Sequence, residues 1–320
     1  MKVGVFTCWL RERPLEEALD FIAALGITTV EIGTGGYPGD EHAKPAELLA
    51  DAQKLATFRH AFASRGMTIS ALSCQGNPLH PNRAIAERHH RQFSDSVLLA
   101  EQLGVAQVVT FSGCPGTRDE SEHPNWVTST FPSEFNELLK WQWDEKVIPY
   151  WREQADFCSV RGVKVAIELH PGFVVYNTAS FLKLREAVGE TLGATYDPSH
   201  LFWQQMDPLE VIRALGSAIY HVHAKDTTIN IDNTRRNGVL DTSPPSQLAE
   251  RSWMFRTVGY GHDVQFWKAL ISQLRLVGYS GALSIEAEDS LMSKREGLER
   301  AIHLLNEAVI SEAADAPWWV

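Results

Sequence analysis

Eight short apolar runs alternate with eight helical patterns along the chain, and that alternation leaves few folds open. The strand-like runs lie at 2–7, 28–32, 67–72, 106–111, 163–168, 192–196, 218–222 and 282–285. Helical patterns follow near 14–25, 45–65, 85–103, 135–161, 179–188, 208–215, 264–277 and 291–310. Most strand runs are apolar almost throughout, as expected of parallel strands covered by helices. Pro14 suits the first position of the first helix, and Gly26 suits its stop. Eight strand–helix units in series predict an α/β protein, a closed (β/α)8 TIM barrel with right-handed crossovers. A doubly wound open sheet is the alternative, but it normally carries a glycine-rich phosphate loop after its first strand. Here that turn reads Cys8-Trp9-Leu10-Arg11.

With 320 residues, 44% of them hydrophobic, the chain can fill one large core. We read 1–312 as a single barrel domain and 313–320 as a C-terminal tail. Two connections are long, 112–133 after the fourth strand and 225–263 after the seventh. Both leave a strand's carboxyl end, so both lie where barrels build their active sites. Loops of that length serve as lids, binding loops or oligomer contacts. The tail ends Pro317-Trp318-Trp319-Val320, and its tryptophans predict a segment docked on this subunit or on a neighbour. Tail and loops together point to a homo-oligomer.

Charge narrows the partners. There are 29 basic and 40 acidic residues, a formal net charge of -11, with no cluster of Lys and Arg. Such a surface repels polyphosphate, so neither nucleic acid nor an anionic membrane is an expected partner. The first residues lack the apolar stretch of a signal peptide, and no run is long enough to span a bilayer. A cytoplasmic protein is expected. The four cysteines, Cys8, Cys74, Cys114 and Cys158, form no C-x-x-C pair and read as buried, reduced thiols.

The last four strands each deliver a carboxylate or an imidazole at the carboxyl end. They read "IELHPG" at 167–172, "YDPSH" at 196–200, "HVHAKD" at 221–226 and "SIEAED" at 284–289. In a barrel these ends converge on one bowl. Glu168, Asp197, His223 and Glu286 would then form a site of three carboxylates and one imidazole. Without a cation such carboxylates repel one another and take up protons. Oxygen-rich ligation with one His suits Mn2+, with Mg2+, Co2+ or Zn2+ as alternatives. Pro198 cannot donate to a ladder, so it ends pairing just after Asp197. His200 is read as a substrate contact or a support for the ligands; a direct ligand role, with His223 displaced, is the sharper alternative. His170 is a further substrate contact.

Other residues have more modest readings. His221 is expected to be buried and hydrogen-bonded, facing the helices, and His89 and His90 to be solvated on a helix. Lys225 and Asp226 could orient the ligands, or Asp226 could cap a turn. Glu31, Asn77 and His80 could bind distal hydroxyls or cap loops. Trp9, Phe111, Trp126, Phe173, Trp203 and Trp253 follow strand ends or sit in long loops, as sugar-stacking faces or as loop packing. His123 is a candidate extra acid or base, with Trp126 near it.

These motifs, taken together from strand one to strand eight, resemble the xylose-isomerase-like barrel superfamily, the sugar phosphate isomerase/epimerase group. The resemblance implies metal ligation by Glu168, Asp197, His223 and Glu286. It also implies a substrate-binding role for Arg256 in "FRTVGYGH" (255–262), where family members often carry Glu in place of Tyr260. An unphosphorylated sugar is expected, because few basic residues lie near the bowl.

Such a site can acidify the carbon between a carbonyl and a hydroxyl through an enediolate, with Glu168 and Glu286 as acid–base pair. The first expectation is therefore a divalent-metal-dependent isomerase or epimerase of a small sugar or keto-sugar. The alternative is a keto-glycoside lyase, including C-glycoside deglycosidases, which uses the same site for β-elimination and would bring a small partner subunit. DNA-repair endonucleases share this barrel but need a basic groove and more His, and a non-catalytic sugar-binding protein would not need the intact ligand set.

Overall fold

The computed structural model describes residues 1–316 and 319. Eight parallel strands close into a barrel: β1 (Lys2–Phe6), β2 (Thr29–Gly33), β3 (Thr68–Ser73), β4 (Gln107–Phe111), β5 (Lys164–Glu168), β6 (Leu192–Tyr196), β7 (Ile219–Ala224) and β10 (Ala282–Ile285). The barrel closes through β10, which pairs with β1 on one side and β7 on the other. Helices cover the outside, and a continuous apolar layer packs between them and the strands. Phe93 and Trp151 meet there edge to face, and Trp267, Leu270 and Leu274 are fully buried. The single-domain TIM barrel expected from the alternation of elements is the fold observed.

Three expected elements differ in detail. The helix expected over 45–65 is two helices, Pro45–Ala50 and Ala52–Ala63, broken at Asp51. Asp51 is extended, and its carboxylate accepts from the amides of Gln53 and Lys54. That side-chain competition for backbone donors starts a new helix. The helix expected over 135–161 contains a wide turn at Gln142–Val147. Pro149 follows, and its missing N–H and its ring disfavour a regular helix just before it.

The connection after β7 is not an open loop. It contains an antiparallel hairpin, β8 (Asp226–Ile229) with β9 (Trp253–Arg256), and a short helix, Ile231–Asn237. Asp226 holds this excursion down. Its buried carboxylate accepts from the amides of Thr227, Gly259, Gly261 and His262 and from the His262 ring. A side chain on Gly261 would collide with the Thr227 carbonyl at 2.3 Å. Of the two readings of Asp226, the structure places it as a loop cap. The tail prediction falls partly on Trp318, which lies outside the described residues; Trp319 is 71% exposed.

Candidate metal centre

Glu168 ends β5, His223 lies near the end of β7, and Glu286 follows β10 directly. Asp197 follows β6 and caps the helix Pro198–Trp203, with one carboxylate oxygen accepting from the Ser199 amide at 2.8 Å. The four side chains each offer one ligand atom, all within 4.8 Å of one another. His223 Nδ1 is 3.6 Å from Glu286, 3.8 Å from Glu168 and 4.0 Å from Asp197.

Asp197 Oδ2 and His223 Nδ1 are buried and have no hydrogen-bond partner among the described residues. Burying polar atoms this way is costly unless something else satisfies them. A divalent cation does so, and the donor set of three carboxylate oxygens and one imidazole nitrogen suits it. The residues present therefore fit a divalent metal.

The four groups differ in their electrostatics. Burial, with Glu168 beside it, raises the Asp197 carboxyl to about 6 against the pull of Lys225. Burial and the neighbouring Glu288 raise Glu286 to about 8 despite Lys225. Burial opposes charge on Glu168 too, but His223 and the nearby His200 ring hold it well below the usual range. Burial disfavours a charged His223, yet Glu31 and Glu168 raise its pKa well above an ordinary histidine's.

A second ring of groups supports these ligands. Gln75 Nε2 donates to Glu168 at 3.2 Å. His200 Nε2 lies 3.4 Å from Glu168 and 3.5 Å from Asp197, also without a hydrogen-bond partner among the described residues. Lys225 Nζ bridges Glu286 at 3.2 Å and Glu288 at 2.5 Å, and sits 4.1 Å from the Phe255 ring centre. Gln75, Tyr37 and Glu288 were not singled out from sequence. Each follows a strand, and position after a strand end was their only signal.

His221 corrects an expectation. It does not face the helices: residues two apart on a strand point the same way, so it shares the inner face of His223. His221 Nε2 lies 2.8 Å from Glu31, and His223 Nε2 lies 3.1 Å from the other oxygen of the same carboxylate. Ser284 also donates to Glu31 at 2.5 Å, and Ser73 donates to it as well. Glu31 is thus fully buried inside the barrel and binds no distal hydroxyl. Shifts in strand register occur at Val30/Glu31 and at Ala194/Thr195, beside His221.

His89 and His90 are not simply solvated. His89 is buried and accepts from the Asn77 amide, and His90 contacts the Tyr150 hydroxyl at 3.1 Å. Asn77 caps its loop, exchanging bonds with Cys114. Cys74, Cys114 and Cys158 are buried as expected, and burial raises each to about 12; Cys8 is instead half-buried on the cavity wall, its thiol also raised well above the ordinary value by burial and the neighbouring Glu286.

A cavity of about 590 Å3 opens over Glu168 and Glu286. Trp9, His170, His200, Glu168, Lys225, Glu286 and Glu288 line it, with Phe111 and Phe173. Three predicted substrate contacts lie away from this wall. Arg256 pairs with Asp289 at 3.1 Å, His80 accepts from the Asn82 amide, and His123 is exposed in the loop after β4. Trp203 and Trp253 stack on each other, and Trp126 packs edge-on against Tyr176. For these three the packing reading fits.

A family model described as xylose isomerase-like TIM barrel matches residues 19–308, and the chain belongs to that family. It is 38% identical over 315 residues to the uncharacterized protein YfiH of Bacillus subtilis, covering 97% of this chain and 99% of that one. It is 26% identical over 170 residues to an inosose dehydratase of Geobacillus kaustophilus, about half of each chain. Among solved structures, an IolI protein with a bound zinc atom superimposes with a TM-score of 0.65 at 19% identity, covering 97% and 98% of the two chains. The 3-keto-D-glucoside 4-epimerase YcjR of E. coli gives 0.65 at 12% identity, covering 96% and 99%. At these identities the structures share the fold. Family and site together define a xylose isomerase-like TIM barrel with a candidate metal centre. No helix among the described residues is long and apolar enough to cross a membrane.

Proposed function

We propose that this protein is a divalent-metal-dependent isomerase or epimerase of a small sugar or keto-sugar. The observation that carries the reading is the convergence of Glu168, Asp197, His223 and Glu286, with Asp197 Oδ2 and His223 Nδ1 buried and otherwise unpartnered. When bound, the cation, with Mn2+ preferred, supplies Lewis acidity to a carbonyl and its neighbouring hydroxyl.

The chain's own residues then move the proton. Glu168 and Glu286 come from strands separated by β6 and β7, so they approach a substrate from different sides. One carboxylate removes a proton from the carbon beside the carbonyl and the other returns one. Return to the opposite face epimerises, and return to the neighbouring carbon isomerises. Lys225 holds the Glu286 carboxylate in place, and Gln75 does the same for Glu168. His200 and His170 line the cavity as neutral imidazoles, since burial lowers the pKa of both. The epimerase named among the structural neighbours supports this reading.

A second reading, β-elimination from a keto-glycoside, is favoured by Lys225 on the same wall, whose ammonium adds a proton donor near a leaving group. The likeness to an inosose dehydratase supports it. Incubation of the Mn2+-loaded protein in D2O with ketoses and 3-keto-glycosides, with the sugars then separated and analysed by NMR, tests both. Deuterium next to the carbonyl with a new sugar is the expected result. Loss of an aglycone favours elimination, and no exchange on any substrate with metal bound rejects the proton-transfer reading.

A further inference from the structure

The cavity has a second end. Beyond the carboxylates, rings follow one another without a break. His200, which touches Glu168 and Asp197, lies 4.0 Å from His170 between ring centres. His170 lies 4.6 Å from Phe111, and Phe111 lies 4.3 Å from Phe173. Tyr37 closes the run at 6.1 Å from Phe111 and 6.4 Å from Phe173. All five rings line the same cavity.

Tyr37 is the unusual member, because it is 57% exposed and yet firmly held. It sits in Thr34-Gly35-Gly36-Tyr37-Pro38-Gly39, where Gly35, Gly36 and Gly39 all have positive φ. A side chain on Gly36 would collide with the Gln75 carbonyl at 1.9 Å. The Tyr37 amide donates to that same carbonyl at 2.7 Å, and Gly35 donates to Gly39 at 3.0 Å. The loop is therefore pinned to Gln75, the residue that also donates to Glu168. A backbone so constrained that presents a large ring to solvent at a cavity mouth is arranged for contact with a ligand.

We propose that the Tyr37–Phe111–Phe173 end is a subsite for the flat apolar face of a second ring attached to the sugar. The inference rests on the sugar-enzyme reading above. The polar end takes the sugar that reacts, and the aromatic end takes its neighbour, through stacking on Tyr37. An aryl group and the C–H face of a second sugar offer the same flat surface, and the test separates them.

Calorimetry on the Mn2+-loaded protein would use methyl β-glucoside, phenyl β-glucoside and methyl β-cellobioside. None has a carbonyl, so none reacts and binding is read at equilibrium. A second ring is expected to tighten binding about tenfold over the methyl glucoside. That gain should vanish in Tyr37→Ala and survive in Tyr37→Phe, because the ring rather than the hydroxyl makes the contact. Gain with the phenyl compound alone identifies an aryl subsite, and gain with the cellobioside alone identifies a sugar subsite. If the methyl glucoside binds and neither second ring helps, the subsite is rejected while the sugar reading stands. A gain unchanged in Tyr37→Ala also rejects it. Binding of none of the three rejects the subsite, and the sugar reading is then decided by the exchange experiment in D2O.

Discussion

Two acidic clusters meet at His223, and they are built in opposite ways. Inside the barrel, Glu31 accepts from Ser73 and Ser284 and pairs with His221 and His223. Burial disfavours its charge, but His223 and His221 hold its pKa well below the usual range. Toward the barrel mouth, Asp197 and Glu286 are short of donors, and their carboxyls are raised. The same residue types thus form a finished hydrogen-bond network in one place and an incomplete one in the other. The finished cluster sets the geometry of the incomplete one. With Nε2 directed to Glu31, His223 turns Nδ1 toward the other three ligands.

The largest expected effect is on turnover. Glu168→Gln and Glu286→Gln should each lower it by about 10²–10⁴-fold with circular dichroism unchanged. Unchanged turnover in either variant removes that residue from the proton transfer. Asp197→Ala should weaken metal binding by more than the roughly 10–100-fold typical of losing an outer support. Full metal occupancy in calorimetry would discard Asp197 as a ligand.

Glu31→Gln sharpens the contrast from the other side. It leaves two buried imidazoles without their carboxylate and should cost roughly 3–5 kcal/mol in chemical denaturation. Metal affinity should fall by about 10–100-fold, although Glu31 is not among the four proposed ligands. If stability drops and metal affinity does not, Glu31 is structural only.

The pH dependence is smaller and has a definite sign. In the metal-free protein the raised carboxyls of Asp197 and Glu286 favour the fold below their unfolded values. That contribution is lost as pH rises through about 6 and about 8. Metal binding needs both charged, so the metal-induced rise in Tm should grow between pH 6 and pH 8.5. A rise independent of pH would break the comparison. The smallest effect is expected for Arg256→Ala. Its pair with Asp289 is only partly exposed and lies off the cavity wall, so a loss of roughly 1 kcal/mol is expected by thermal melts.

What could be read from the chain follows from how each kind of information is encoded. Apolar runs and helical periodicity are local, so β6 and β10 were expected with the bounds they have. Barrel closure then brings the ends of four strands to one bowl, which is why Glu168, Asp197, His223 and Glu286 could be grouped before any distance was known. The hairpin β8–β9 was missed because its strands have four residues each and little periodicity to detect. Arg256 was expected at the substrate from its place in a motif, but a motif does not specify a rotamer, and Asp289 holds the guanidinium.

By itself, then, the sequence determined the repeating unit, the barrel and the convergence of four candidate metal-binding side chains, because these depend on patterns within a few residues and on a closure rule that eight units obey. Only the tertiary structure decided that Glu31 of β2 would meet His221 and His223 of β7, some 190 residues later. Only it turned Tyr37 toward Phe111 and Phe173. The reason is physical. Contacts across a barrel depend on strand register and on which buried charges can be paired, and neither quantity is carried by any single stretch of chain.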